Sequence, residues 1–154
     1  MVLFSQRSVL MDSVYIHTVQ YYETDKMGVV HHSNYIRFME EARVHFLASV
    51  GWPYDRLEDM GLISPVVGVR CDYRRPARFA DEIAVRVRVL AVTGAKLTIG
   101  YEMAVDGQLA CSGESSHCFV TPEGRPVSLR KSCPELYTAL CGMMDGNGSP
   151  GGGI

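Results

Sequence analysis

The 154-residue sequence is long enough for one domain of ordinary size and too short for two, since a single core typically takes about 100–200 residues. With 47% hydrophobic and 21% charged residues it is too apolar to stay disordered and has the composition of a globular chain. Fifteen basic against seventeen acidic side chains leave a formal charge of −2, which excludes the footprint of a nucleic-acid or anionic-membrane binder and leaves open a compact phosphorylated ligand.

Residues 1–12 show no clear periodicity and are expected to be loosely ordered. Val14 to Tyr21 is rich in β-branched and aromatic residues, which predicts a first strand, and Glu23-Thr-Asp-Lys26 predicts the loop that ends it. From Tyr35 the period changes: Tyr35, Phe38, Met39, Ala42, Phe46 and Val50 fall on one helical stripe, with Arg37, Glu40, Glu41 and Arg43 largely off it. Ser33 or Asn34 can cap this helix, and Gly51 followed by Pro53 stops it. A short helical connection over Tyr54 to Met60 leads to a strand candidate from Ile63 to Tyr73.

Two alternating strands follow, with Ile83, Val85, Val87 and Val89 on one face of the first and Leu97, Ile99, Tyr101, Met103 and Val105 on one face of the second. A three-residue loop at Thr93-Gly94-Ala95 pairs Val89 with Ile99, Val87 with Tyr101 and Val85 with Met103, and sets Arg86 opposite Glu102. A two-residue loop would put the two apolar sets on opposite faces and is rejected on that ground. Asp106-Gly107-Gln108 turns the chain into a strand from Leu109 to Val120, Pro122-Glu-Gly124 forms a further turn, and Pro134 to Leu140 reads as a terminal helix. Residues 142–154, rich in glycine, are expected to form a flexible tail, which leaves residues 13–141 as the folded domain. Strand, helix, then about four antiparallel strands is an α+β order, with the helix against the apolar face of the sheet.

The densest chemistry lies in Tyr21-Tyr-Glu-Thr-Asp-Lys-Met-Gly-Val-Val-His-His-Ser-Asn-Tyr35. Gly28 allows close backbone approach, and the helix that follows presents unpaired N–H groups and the positive end of its dipole. Asp25 is either a turn former or a carboxylate converging with that anion-stabilising terminus, as acyl transfer requires. His31 and His32 are adjacent and point apart, so one can position a carbonyl or a water while the other is exposed or packed; no metal site is assembled from them. His17 and His117 fall in strands and read as hydrogen-bonded structural residues, and His45 as a helix-flank residue. Surface ion pairs with Arg37 or Arg43 account adequately for Glu40 and Glu41, with a catalytic role as the lesser alternative. For a phosphorylated ligand the basic candidates are Arg74, Arg75, Arg78 and Lys96. Sequences of the type G-x-S-x-G, Walker A or G-x-G-x-x-G are missing, which counts against serine hydrolases, P-loop enzymes and Rossmann dehydrogenases.

The segment Tyr22-Glu-Thr-Asp25-x-x-Gly28-Val-Val-x-His32-x-x-Tyr35, followed by Glu41-Ala-Arg43, resembles the hotdog-fold acyl-CoA thioesterases, in the branch of the 4-hydroxybenzoyl-CoA and Tol-Pal-associated enzymes. The resemblance runs from about Val14 to Leu140 and includes Phe119-Val-Thr-Pro-Glu-Gly-Arg-Pro. It implies a five-stranded antiparallel sheet wrapped around one long central helix, in a homodimer or homotetramer with active sites at the subunit interface. By position, Asp25 matches the catalytic carboxylate, acting as nucleophile or base. His32 matches a histidine of the Tol-Pal-associated relatives, where the hydroxybenzoyl branch has an aromatic residue. Gly28, Val29, Val30 and His31 match the segment that polarises the thioester carbonyl, Tyr35 closes the motif beside the substrate, and Lys96 falls where relatives carry a basic residue near the CoA phosphates.

The expected activity is hydrolysis of acyl-CoA thioesters without metal or redox cofactor, because a thioester is weakly resonance-stabilised and a carboxylate, water and oriented N–H donors suffice. The rival is a non-catalytic hotdog module that binds acyl-CoA or an acyl carrier protein; a third reading keeps the chemistry and takes the carrier-protein thioester as substrate. Five widely spaced cysteines, Cys71, Cys111, Cys118, Cys133 and Cys141, without a C-x-x-C pair, imply neither a disulfide framework nor a zinc knuckle. With no secretory signal and no run of about 18 apolar residues, a cytoplasmic protein without a membrane span is expected.

Overall fold

The computed structural model describes residues 14–144. Strand β1 (Val14–Thr18) gives way at Val19 to a 3-10 turn (Tyr21–Glu23), so the first strand is shorter than its apolar run. Helix α1 (Asn34–Ser49) carries the predicted stripe, and Gly51, at φ +91°, and Pro53 follow its end as expected. Helix α2 (Tyr54–Asp59) and strands β2 (Val66–Tyr73), β3 (Glu82–Val92), β4 (Lys96–Val105) and β5 (Gln108–Cys118) follow. Ile63, expected at the start of β2, instead makes an isolated bridge with Val120. Two C-terminal helices, α3 (Leu129–Ser132) and α4 (Pro134–Met143), complete the chain. Helix α3 was not foreseen, and α4 outruns the expected Pro134–Leu140, with Met144 bridging Val89. The rest of the expected tail and the N-terminal segment 1–12 lie outside the described residues.

The five strands form one antiparallel sheet in the order β1-β3-β4-β5-β2. Tyr35, Phe38, Met39, Ala42, Phe46 and Leu47 of α1 are buried together with Ile83, Val85, Val89, Leu97, Ile99 and Met103, and the sheet wraps α1 in the hotdog arrangement. Gly113 on β5 is a contact point: a methyl group there would stand 2.7 Å from the Arg70 carbonyl oxygen and 3.3 Å from the Met39 side chain.

The β3–β4 register pairs Val85 with Met103, Arg86 with Glu102, Val87 with Tyr101 and Val89 with Ile99, as the alternation required. The turn itself differs. Pairing shifts after Val89, so that Ala91 meets Thr98 and Val92 meets Leu97, and Thr93 N–H donates to the Lys96 carbonyl at 2.8 Å. Only Gly94 and Ala95 remain at the tip. A bulge at Leu90 takes up the extra residue, which is how a tight turn coexists with apolar sets on one face. At the next turn Asp106 (φ 50°) and Gly107 (φ 75°) are both left-handed, the geometry a two-residue hairpin needs.

Arg43, expected off the buried stripe, is buried; its Nε donates to Tyr54 Oη (3.1 Å) and its Nη1 to Tyr101 Oη (3.0 Å). Glu41 pairs with neither expected arginine and lies 2.9 Å from His17 Nδ1. Both departures have one cause: β1 and β4 pass beside α1 and present partners that lie far away in sequence.

Candidate active site

The stretch Glu23 to His31 folds into a tight hairpin. Thr24 bridges Val30, Asp25 N–H donates to Val29 O (2.9 Å) and His31 N–H donates to Glu23 O (2.9 Å). Gly28 N–H closes the turn on Asp25 O at 2.9 Å, with Gly28 at φ 76°, where a side chain would be strained. Asp25 Oδ1 accepts Met27 N–H at 2.8 Å, so the turn-former reading of this residue holds. It is compatible with the chemical reading: Asp25 is half-buried and lines a cavity of about 300 Å³ that also takes in Val29, Val30, His32 and Tyr35.

The cavity brings together most of the residues singled out in the sequence, including Arg74 and Arg75 but not Arg78 of the basic candidates, and adds Met27, Tyr73 and Pro76. Gly28, His31 and Lys96 do not line it. The His31 and His32 rings, expected to point apart, lie 4.2 Å from each other, because the chain is neither helical nor extended here but turns, with Asn34 N–H on His31 O; His31 Nδ1 is 2.7 Å from Ser33 Oγ, and the His32 ring lies 6.3 Å from that of Tyr73. Tyr73 donates its hydroxyl to the His32 carbonyl at 3.0 Å. Burial pushes the Tyr35 and Tyr73 phenols up to about 12, so both remain protonated donors at neutral pH. Arg74 and Arg75, fifty residues from Asp25, arrive because both of their N–H groups bond Ala110 O (2.8 and 3.1 Å) just past the end of β2.

The start of α1 is less closed than expected. Neither Ser33 nor Asn34 caps it: Ser33 Oγ is bonded to His31, and Asn34 Nδ2 donates to Glu23 O at 2.8 Å. Of the segment expected to polarise a carbonyl, Gly28, Val30 and His31 have committed their N–H groups to Asp25 O, Ala77 O and Glu23 O. Among the described residues the amides of Val29 and His32 have no acceptor, and both residues line the cavity. A carboxylate, two open N–H donors and the positive end of a 16-residue helix can bind and polarise a carbonyl next to a base.

Fold and site together define a hotdog protein with a carboxylate site at the head of its central helix. The chain belongs to the thioesterase-like superfamily, whose model matches residues 19–138. It is 36% identical to the hypothetical protein TT1821 of Thermus thermophilus, whose crystal structure superposes with a TM-score of 0.77 over 85% of this chain and 96% of that one. The DHNA-CoA thioesterase of Staphylococcus aureus is 27% identical, with a TM-score of 0.81 over 84% of this chain and 89% of that one. The acyl-CoA thioesterase YbgC of Haemophilus influenzae is 34% identical over 80 residues, 51% of this chain and 59% of the relative.

Proposed function

We propose that this protein hydrolyses acyl-CoA thioesters to a free acid and CoA. One observation carries the reading: Asp25 shares a cavity with His32, a residue just before α1 whose backbone N–H has no acceptor among the described residues. As a base, Asp25 takes a proton from water as the oxygen attacks the thioester carbon; the C–S bond then breaks and the proton returns to the departing thiolate. As a nucleophile, the same carboxylate forms a mixed anhydride, expels the thiolate, and water cleaves the anhydride. Either route passes through an oxyanion, for which the His32 and Val29 amides are the proposed donors. The His32 side chain orients substrate or water, and it favours the Tol-Pal-associated branch over the hydroxybenzoyl one.

Arg74 and Arg75 supply cations at the cavity for the phosphates of CoA, a role the resemblance had given to Lys96. A homodimer or homotetramer is supported by the outer edge of β2, which no strand among the described residues covers and which exposes Val66, Val67, Val69 and Tyr73. Since Tyr73 also lines the cavity, a second copy on that edge would border the site. The five free cysteines fit a reducing cytoplasm, and no helix among the described residues is long and apolar enough to cross a membrane.

The test is a panel of acyl-CoAs with a free-thiol readout on wild type and Asp25→Asn. The variant should fold and lose about 10²–10⁴-fold in turnover. Near wild-type hydrolysis by it would overturn the assignment, and tight binding without thiol release by the wild type would make the protein a binding module. Replacing Arg74 and Arg75 together by Ala should raise KM at least about tenfold for acyl-CoA and leave the acyl-pantetheine thioester, which lacks the nucleotide phosphates, unchanged.

A further inference from the structure

A second cluster of ionisable groups, His17, Glu23 and Glu41, lies outside the lining of the cavity. His17 pairs with Ile83 across β1 and β3, which turns its ring toward α1, 4.1 Å from that of Phe38. Its Nε2 is 2.8 Å from Glu23 Oε1 and its Nδ1 is 2.9 Å from Glu41 Oε2. Glu23 is itself 5% exposed and accepts Gln20 N–H at 2.7 Å, while Glu41 accepts the Tyr15 hydroxyl at 3.0 Å. The ring therefore meets a different carboxylate through each of its two nitrogens. The carboxylates sit on opposite edges of the ring, and the three groups do not converge as metal ligands.

This cluster holds the base of the hairpin. The Glu23 side chain is tied to β1 through His17, and its carbonyl receives His31 N–H (2.9 Å) and Asn34 Nδ2 (2.8 Å), at the two ends of the segment that leads into α1. Asp25 follows two residues later and has only its own turn to hold it. Glu41, on α1, closes the link between strand and helix. We infer that His17 is a positioning residue: clamped between Glu23 and Glu41, it fixes the hairpin against α1 and thereby the Asp25 carboxylate against the open His32 amide. The inference rests on the thioesterase reading of that site. Misplacing a catalytic group by a fraction of an ångström acts on the transition state more than on ground-state binding.

The experiment compares wild type with His17→Gln, which keeps a polar side chain of similar reach and cannot hold two carboxylates on opposite edges. Expected are a folded variant, shifted amide resonances over residues 25–34, and a kcat lower by about tenfold or more with KM within about twofold. A purely structural histidine would lower the melting temperature and leave the kcat of the folded enzyme alone, and that result would overturn the inference. Should His17→Gln fail to fold, Glu41→Gln, at a half-exposed position, reads the same effect: a reduced kcat at constant KM supports the clamp and an unchanged kcat refutes it. If the wild type releases no thiol from any acyl-CoA, the thioesterase reading fails, while the amide shifts still report whether His17 holds the hairpin.

Discussion

His117 offers a measurement in which the sign and size of a pH effect follow from the structure. It sits on β5 at 1% exposure, its Nε2 2.7 Å from Ser115 Oγ, in a chain that continues through Tyr101 Oη (2.7 Å) to Arg43. Arg43 can only donate, so Tyr101 accepts from it; with the ring neutral and Nε2 as acceptor, Ser115 donates to Nε2 and Tyr101 to Ser115. Burial, with the Arg43 charge adding to it, pushes the imidazole down from 6.5 to about 4. The unfolded chain takes up a proton as pH falls through 6.5 and the folded one resists until about 4. Stability from this group is therefore complete above 6.5 and is lost on acidification, by roughly 2 kcal/mol at pH 5 and roughly 3 at pH 4, at about 1.4 kcal/mol per pH unit. Losses of this size are a large part of the 5–15 kcal/mol typical of a domain. Urea unfolding of wild type and His117→Gln at pH 7.5, 6 and 5 isolates the effect, because the carboxylates contribute alike to both. The wild-type advantage should shrink by about 2 kcal/mol over that range. Parallel stability curves would refute the reasoning.

Arg43→Met removes the second push on His117, so its acid-induced loss of stability should be shallower than that of wild type in the same titration. Gly113→Ala should cost about 1–3 kcal/mol in a thermal melt, because the methyl group meets backbone at Arg70 O, whereas Gly100→Ala meets the flexible Leu90 side chain and should cost less. Cys71 should be the first cysteine alkylated by iodoacetamide at pH 7. The neighbouring Cys111 thiol lowers the Cys71 thiol to about 7, whereas Cys111 itself is raised by the same pairing and by burial. Peptide mass spectrometry reads the order, and earlier labelling of the half-buried Cys118 or Cys141 would contradict it.

What could be read from the chain alone was set by neighbours close in sequence. The 3.6-residue stripe of α1, the two-residue alternation of β3 and β4 and the glycines at Gly28 and Gly107 each express a local steric or periodic rule, and the motif from Tyr22 to Tyr35 lies within one hairpin and the head of one helix. Their placement depends on few long-range choices. Even there the local rule was incomplete, since the bulge at Leu90 let a tighter turn satisfy the same facing requirement.

Pairings between distant segments were decided by the tertiary structure. Alternation says which side of a strand is apolar and nothing about its neighbour, so the seating of β2 against β5, and with it the arrival of Arg74 and Arg75 beside Asp25, was not legible. The partners of Glu41 and Arg43 lie beyond the reach of local sequence for the same reason: a helix surface position is buried or exposed according to which strand crosses it. The same holds for His17, whose strand position was evident and whose two carboxylates, one in a turn and one on a helix, meet only because the sheet wraps α1. Local sequence determines the conformation of each segment; the burial of apolar area, which is non-directional and sums over the whole chain, determines which segments meet.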